Sequence, residues 1–146
     1  MINVNLEKQS NRVLVSIDKA DRRNKEAIKQ GFINIGKSLV KVTENTILTE
    51  AKTGKIYRNP STKEPYQSSS PGQTPALVTG DYFEGLDYKP SGARGVRFIN
   101  YAPHAKYLEE GTPKMRKRPG MANAIKKNLK NNRMYLEESL KKALQI

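Results

Sequence analysis

One apolar stripe constrains this chain more than any other feature. Ala27, Ile28, Phe32, Ile35, Leu39, Val42 and Ile47 recur every three or four residues. That spacing places them on one face of a helix. Asp18 or Asp21 can cap its start near residue 20, and Gly54 is the expected stop just after Glu50. A helix of about 30 residues is about 45 Å long, more than the diameter of a compact domain of this size. Part of it is therefore expected to contact another subunit or to bend at Gly36. Gly31 and Gly36 sit inside the helix, each at a cost of about 1 kcal/mol against alanine. Close packing by another helix would explain them.

With 146 residues the chain is expected to be one domain, 1–146, with an irregular arm at about 53–81. Apolar residues make up 36% and mean hydropathy is −0.76. Both values are low for a self-sufficient globule, so an obligate partner or a long irregular arm is expected. The absence of cysteine excludes disulfides, thiolate catalysis and thiolate metal sites. A single histidine excludes a His-rich metal site and leaves His104 as the only route to a Ser-His-Asp arrangement. No nucleophile elbow and no phosphate-cradling glycine loop accompany it. The expectation is no catalytic residue, no metal and no cofactor. A small hydrolase or nuclease using His104 is the distant rival.

Charge gives the first positive statement. Lys plus Arg is 27 and Asp plus Glu is 14, a net +13. That balance points to nucleic acid, an anionic membrane or an acidic protein as a partner. No run of 18 apolar residues occurs, so no membrane span is expected. The first twelve residues lack a basic cluster and an apolar core, so no signal peptide is expected and the chain is read as made in a cytoplasm.

Residues 11–18 alternate Val13, Val15 and Ile17 with Leu14 and Ser16, as a short strand would; the run-in to the long helix is the other reading. In residues 53–81, Pro60, Pro65, Pro71 and Pro75 block helix, and with three serines in a row the composition reads as a flexible loop. Ile56, Tyr57, Tyr66, Ala76, Leu77 and Val78 are more apolar than a linker needs. A loop this long inside a compact domain is disordered or functional. Tyr82, Phe83, Leu86 and Tyr88, a turn at Pro90-Ser91-Gly92, then Val96, Phe98 and Ile99 read as a hairpin. A two-turn helix closed by Gly111 follows. A last helix begins at Pro119, with Ala122, Ile125, Leu129, Leu136, Leu140 and Ala143 as its apolar stripe and Asn131-Asn132 as a weak point. The fold class is α+β: a long N-terminal helix, a small antiparallel sheet with a Pro/Gly/Ser-rich arm, and a C-terminal helix.

Three stretches together carry a resemblance. They are Gly54-Lys55-Ile56-Tyr57-Arg58 with Ser68-Ser69-Ser70-Pro71-Gly72-Gln73-Thr74-Pro75-Ala76 and Thr79-Gly80; Tyr101-Ala102 with Tyr107-Leu108-Glu109-Glu110-Gly111-Thr112; and Arg118-Pro119-Gly120-Met121 leading to Ala124. In order and spacing this resembles the neck or tail-completion proteins of tailed bacteriophages, also called head–tail joining or minor tail proteins. Two places depart from the family pattern: Gly120-Met121 replaces a bulky pair, and Asp81 shifts Tyr82-Phe83 from the usual leucine position. The resemblance implies a virion structural protein of the neck, made in the host cytoplasm. It implies a homo-oligomeric ring, six- or twelve-fold, between the head connector or adaptor and the tail-terminator or tail-tube proteins, with a channel for DNA. A tail terminator is the near alternative, and a non-specific DNA-binding protein the farther one.

The expected interface residues are Glu109, Glu110, Lys114, Arg116, Lys117 and Arg118. A carboxylate at a helix C-terminus is unfavourable unless a cation meets it. Glu109 or Glu110 is therefore expected to pair with Arg116, Lys117 or Arg118, within one subunit or between neighbours. The expected arm residues are Tyr57, Tyr66, Pro71, Gly72 and Pro75. From 111 to 133 the chain carries Lys114, Arg116, Lys117, Arg118, Lys126, Lys127, Lys130 and Arg133 and no acid. This reads as a solvated face, a surface for an acidic ring, or a non-specific contact with DNA in transit. No aromatic lies between Tyr107 and Tyr135, which argues against base stacking.

Overall fold

The computed structural model describes residues 22–144. The strand expected at 11–18 lies outside them. The fold is α+β. Helix α1 (Arg22–Thr49) is followed by a small hairpin, β1 (Ile56–Arg58) and β2 (Pro65–Gln67), then a helical turn α2 (Asp81–Glu84). A second hairpin, β3 (Leu86–Pro90) and β4 (Val96–Asn100), leads to α3 (Ala105–Glu110), α4 (Gly120–Lys127) and α5 (Leu129–Leu144).

α1 runs unbroken through both glycines, with no interruption at Gly36. Its 28 residues make a rod of about 42 Å. The glycines are instead the places where other elements come closest. A Cβ on Gly31 would lie 2.7 Å from the Ser139 Cβ of α5. A Cβ on Gly36 would lie 2.7 Å from Val96 and 2.8 Å from Tyr88 of the second hairpin. One face of α1 thus takes a helix and another takes a sheet. Gly31 and Ser38 of α1 meet Ser139 and Asn128 respectively, so α1 and α5 run antiparallel.

The hairpin pairs Leu86 with Asn100 and Pro90 with Val96, closing through Ser91 N–H to the Gly95 carbonyl at 2.9 Å. Tyr82 and Phe83, expected on a strand, lie on α2 instead. A two-stranded ribbon is marginal in water alone. Here it gains a base: Ile47, Tyr82, Leu86, Ala102 and Ala105 form the apolar core, with Val40, Phe83, Phe98, Leu108 and Met121 packed around it.

Residues 53–81 are not a structureless loop. Tyr57 pairs with Tyr66, rings 6.3 Å apart. Asn59 Oδ1 accepts the Ser61 and Thr62 N–H groups at 2.8 and 3.2 Å, an Asx turn that reverses the chain. Asn59 Nδ2 donates to the Val78 carbonyl at 3.0 Å and ties the turn to the irregular end of the arm. The prolines blocked helix, as expected; they did not prevent order.

The C-terminal helix breaks at Asn128, not at Asn131-Asn132. Its expected apolar stripe is also corrected. Ala143 is buried, but Ile125, Leu129 and Leu140 are exposed, and the side turned to α1 carries Asn128 and Ser139.

Candidate functional site

Of the interface residues singled out by sequence, Glu109 and Arg118 lie where α3, α4 and the arm meet. Gly111, with φ 79° and ψ 176°, closes α3 in a conformation open to glycine alone. The following loop folds back through Thr112 N–H to Met115 O at 2.8 Å. Arg118 N–H donates to Leu108 O at 2.6 Å, which sets the start of α4 beside the end of α3.

That placement gives Glu109 its role. Its Oε1 accepts the Met121 N–H at 2.7 Å and the Tyr82 hydroxyl at 2.6 Å; its Oε2 receives the Ala122 N–H at 3.4 Å. No side chain of the preceding Pro119 can cap α4, and a carboxylate from another helix does so instead. The ion pair expected between Glu109 or Glu110 and the 116–118 cations does not form among the described residues. Glu109 is at the end of α3 but at the beginning of α4, and the favourable dipole of α4 decides. Burial first, then the Glu109 carboxylate, hold the Tyr82 phenol well above its usual range. Gly120 is part of the same contact: a Cβ there would lie 2.5 Å from the Tyr82 hydroxyl and 2.9 Å from Pro75.

Arg118 faces inward to the arm. Its Nε donates to Ser69 O at 3.0 Å across 49 residues of sequence. Gly72 N–H donates to Lys117 O at 2.9 Å, and Asn123 Nδ2 to Gly72 O at 2.9 Å. On the far side, Glu50 Oε1 takes the Thr74 N–H at 3.1 Å and Lys52 Nζ at 3.0 Å, while Lys52 Nζ also reaches Thr74 O at 2.9 Å. Gln73 fastens the arm's turn by accepting Thr53 and Ser70 N–H groups and donating to Ala51 O. Thr74 is fully buried, and its Oγ1 is without a partner. The sequence offered no sign of the Glu50, Lys52, Gln73 and Asn123 contributions, because each is a side chain meeting a distant backbone group.

Between arm and body lies a cavity of about 290 Å³, lined by Ile47, Tyr57, Tyr66, Leu77, His104 and Arg118 among others. Pro75 lines it too, and Pro71 lines a neighbouring one with Tyr57 and Arg118. His104 makes no side-chain hydrogen bond among the described residues. No group of three His, Asp or Glu placed to hold a metal occurs among them. Glu110, Lys114, Arg116 and Lys117 are exposed and make no side-chain hydrogen bond or ion pair among the described residues. No described helix is long and apolar enough to cross a membrane. No family profile, curated protein or solved structure matches the chain.

Proposed function

We propose that this chain is a virion structural protein of the bacteriophage neck, assembling as a ring between head connector and tail and leaving a channel for DNA. One observation carries the reading. Parts of the three stretches that bear the resemblance are joined through the third by direct hydrogen bonds, from Arg118 to Ser69 of the first and from Arg118 to Leu108 and Met121 to Glu109 of the second. Residues shared with a family for a common structural reason are expected to meet in this way. The mechanism is geometric. Arm, α3 and α4 are fastened as one unit, while Ile56, Tyr57 and Leu77 remain exposed on the arm for a neighbour.

The test is sedimentation velocity with negative-stain microscopy, on the chain alone and mixed with a head connector ring. Closed rings, or co-assembly on the connector, are expected. A chain that stays monomeric and binds neither connector nor tail tube overturns the reading. A tail terminator is the same class at another level of the neck, and labelling in whole virions separates the two.

The exposed Lys114, Arg116, Lys117, Lys126 and Lys130 favour a second reading, non-specific DNA binding. Its mark is an affinity for free duplex that falls steeply with salt, with a log–log slope of several released counterions.

A further inference from the structure

Helix α5 packs on α1 with its polar side. Asn128, 1% exposed, donates from Nδ2 to Ser38 Oγ at 2.8 Å and to Asn132 Oδ1 at 2.7 Å, and its Oδ1 accepts from Asn131 Nδ2 at 3.1 Å. Ser139 closes on Gly31 with no room for a Cβ between them. These two contacts, seven residues apart on α1, fix the rotation of α5. The consequence is on the other side. Leu129 is 61% exposed, Leu140 49% and Ile125 42%, with Leu136 half-buried beside them. At 3.6 residues per turn, Leu129, Leu136 and Leu140 fall within an arc of about 40°, a row about 16 Å long. Rotating α5 by roughly a quarter turn would bury the leucines on α1. It would also strip Asn128 and Ser139 of their partners, so the row stays outside.

The solvent-side border of the row is net cationic. On α5 stand Lys130, Arg133, Lys141 and Lys142 against Glu137 and Glu138, while Lys126 and Lys127 of α4 lie toward α1 and the arm. Glu137 is already engaged by Arg133 Nε at 2.8 Å. We propose that the row of Leu129, Leu136 and Leu140 is a docking site for an amphipathic helix of a partner protein whose apolar face is bordered by carboxylates. The inference does not depend on the neck reading. Apolar area gives the contact its strength, and the cationic border selects the sign of the partner. A second copy docking by this same face would bring lysine rows together in either direction. Nucleic acid could use the lysines but would leave the leucines wet.

The probe is a fluorescein-labelled synthetic helix with leucines at i, i+4, i+7 and i+11 and glutamates at the flanking positions, read by anisotropy. Its twin carries lysines in place of the glutamates. The acidic peptide is expected to bind the wild-type chain at least about tenfold more tightly than the twin. L129Q/L140Q should weaken it by about tenfold or more with an unchanged melting temperature, and K130E/R133E should reverse the preference between the peptides. Four results overturn the proposal. Absence of saturable binding is one. Binding untouched by L129Q/L140Q but displaced by duplex DNA makes the face an electrostatic one. A lower melting temperature in L129Q/L140Q means that the row is covered within the chain. Self-association of the wild type that L129Q/L140Q abolishes assigns the face to a second copy.

Discussion

Glu109 is the residue whose removal tests the arrangement most directly. Glu109→Ala deletes two short bonds to a charged acceptor, one from Met121 N–H and one from the Tyr82 hydroxyl. Bonds to charged groups contribute about 1.5–3 kcal/mol each, and loss of a helix cap about 1 kcal/mol. Tyr82 is 6% exposed, so its hydroxyl would be left without an acceptor where water has little access. Glu109 itself is half-buried, and solvent entering its place recovers part of the loss. The expected net cost is about 2–4 kcal/mol, a large share of a typical total stability of about 5–15 kcal/mol. For a chain of this size that lowers the melting temperature by about 6–12 °C. Glu109→Gln keeps an acceptor of the same shape and should cost about half as much. Circular dichroism melts and urea titrations of both variants read these effects. A double-mutant cycle with Tyr82→Phe should return a coupling of about 1 kcal/mol or more. If Glu109→Ala stays within about 0.5 kcal/mol of wild type, the carboxylate does not cap α4 and the reasoning fails.

The other predictions rest on separate contacts. Gly31→Ala gains about 1 kcal/mol of helix propensity but forces a Cβ to 2.7 Å from the Ser139 Cβ, so a net loss of about 1–3 kcal/mol is expected, relieved in part by Ser139→Gly; a stabilised Gly31→Ala would show that α5 does not approach there. Thr74→Val should be neutral or stabilising by up to about 1 kcal/mol, because the buried hydroxyl it removes has no partner, and a loss above about 1 kcal/mol in urea titration would refute that. The raised Tyr82 phenol contributes stability that is whole below the unfolded value of about 10 and is lost as pH rises beyond it. Tyr82→Phe should therefore flatten the fall of the urea midpoint above about pH 10, and parallel curves for the two proteins would contradict it. Arg118→Gln should speed amide hydrogen exchange in the arm around Ser68 and Gly72 while leaving α1 protected; equal exchange in both proteins would mean that the arm is not held by Arg118.

Much of the scaffold was legible because periodicity and punctuation act locally. The stripe from Ala27 to Ile47 located α1, Gly111 closed α3, and Pro90-Ser91-Gly92 introduced the turn of the second hairpin. The candidate site was legible only as names. Glu109 and Arg118 stood out, but their partners are backbone groups of Met121 and Ser69, and a backbone group leaves no mark in a sequence. The helix dipole does decide where Glu109 pairs, but it is the dipole of α4 and not that of α3. Sequence places Glu109 at the end of α3; only the fold places it at the beginning of α4.

The leucines of α5 mark a different boundary of sequence reading. A 3.6-residue pattern reports that one side of a helix is apolar, and it is read as the side facing the core. That holds when burial of apolar area is the largest difference between the two rotations of the helix. Here each rotation has its own merit. One buries Leu129 and Leu140; the other satisfies Asn128 through Ser38 and lets Ser139 seat on Gly31. A buried polar group without a partner costs about as much as a leucine gains by burial. Close helix contact at a glycine then tips the balance toward the polar side. The leucines remain outside, where their burial is left to another protein. A sharp test is Asn128→Lys with Ser139→Lys: two charges that cannot stay buried against α1 should turn α5 and remove the exposed row. A doubly substituted chain that still binds the acidic helix at wild-type affinity would show that Asn128 and Ser139 do not set the rotation.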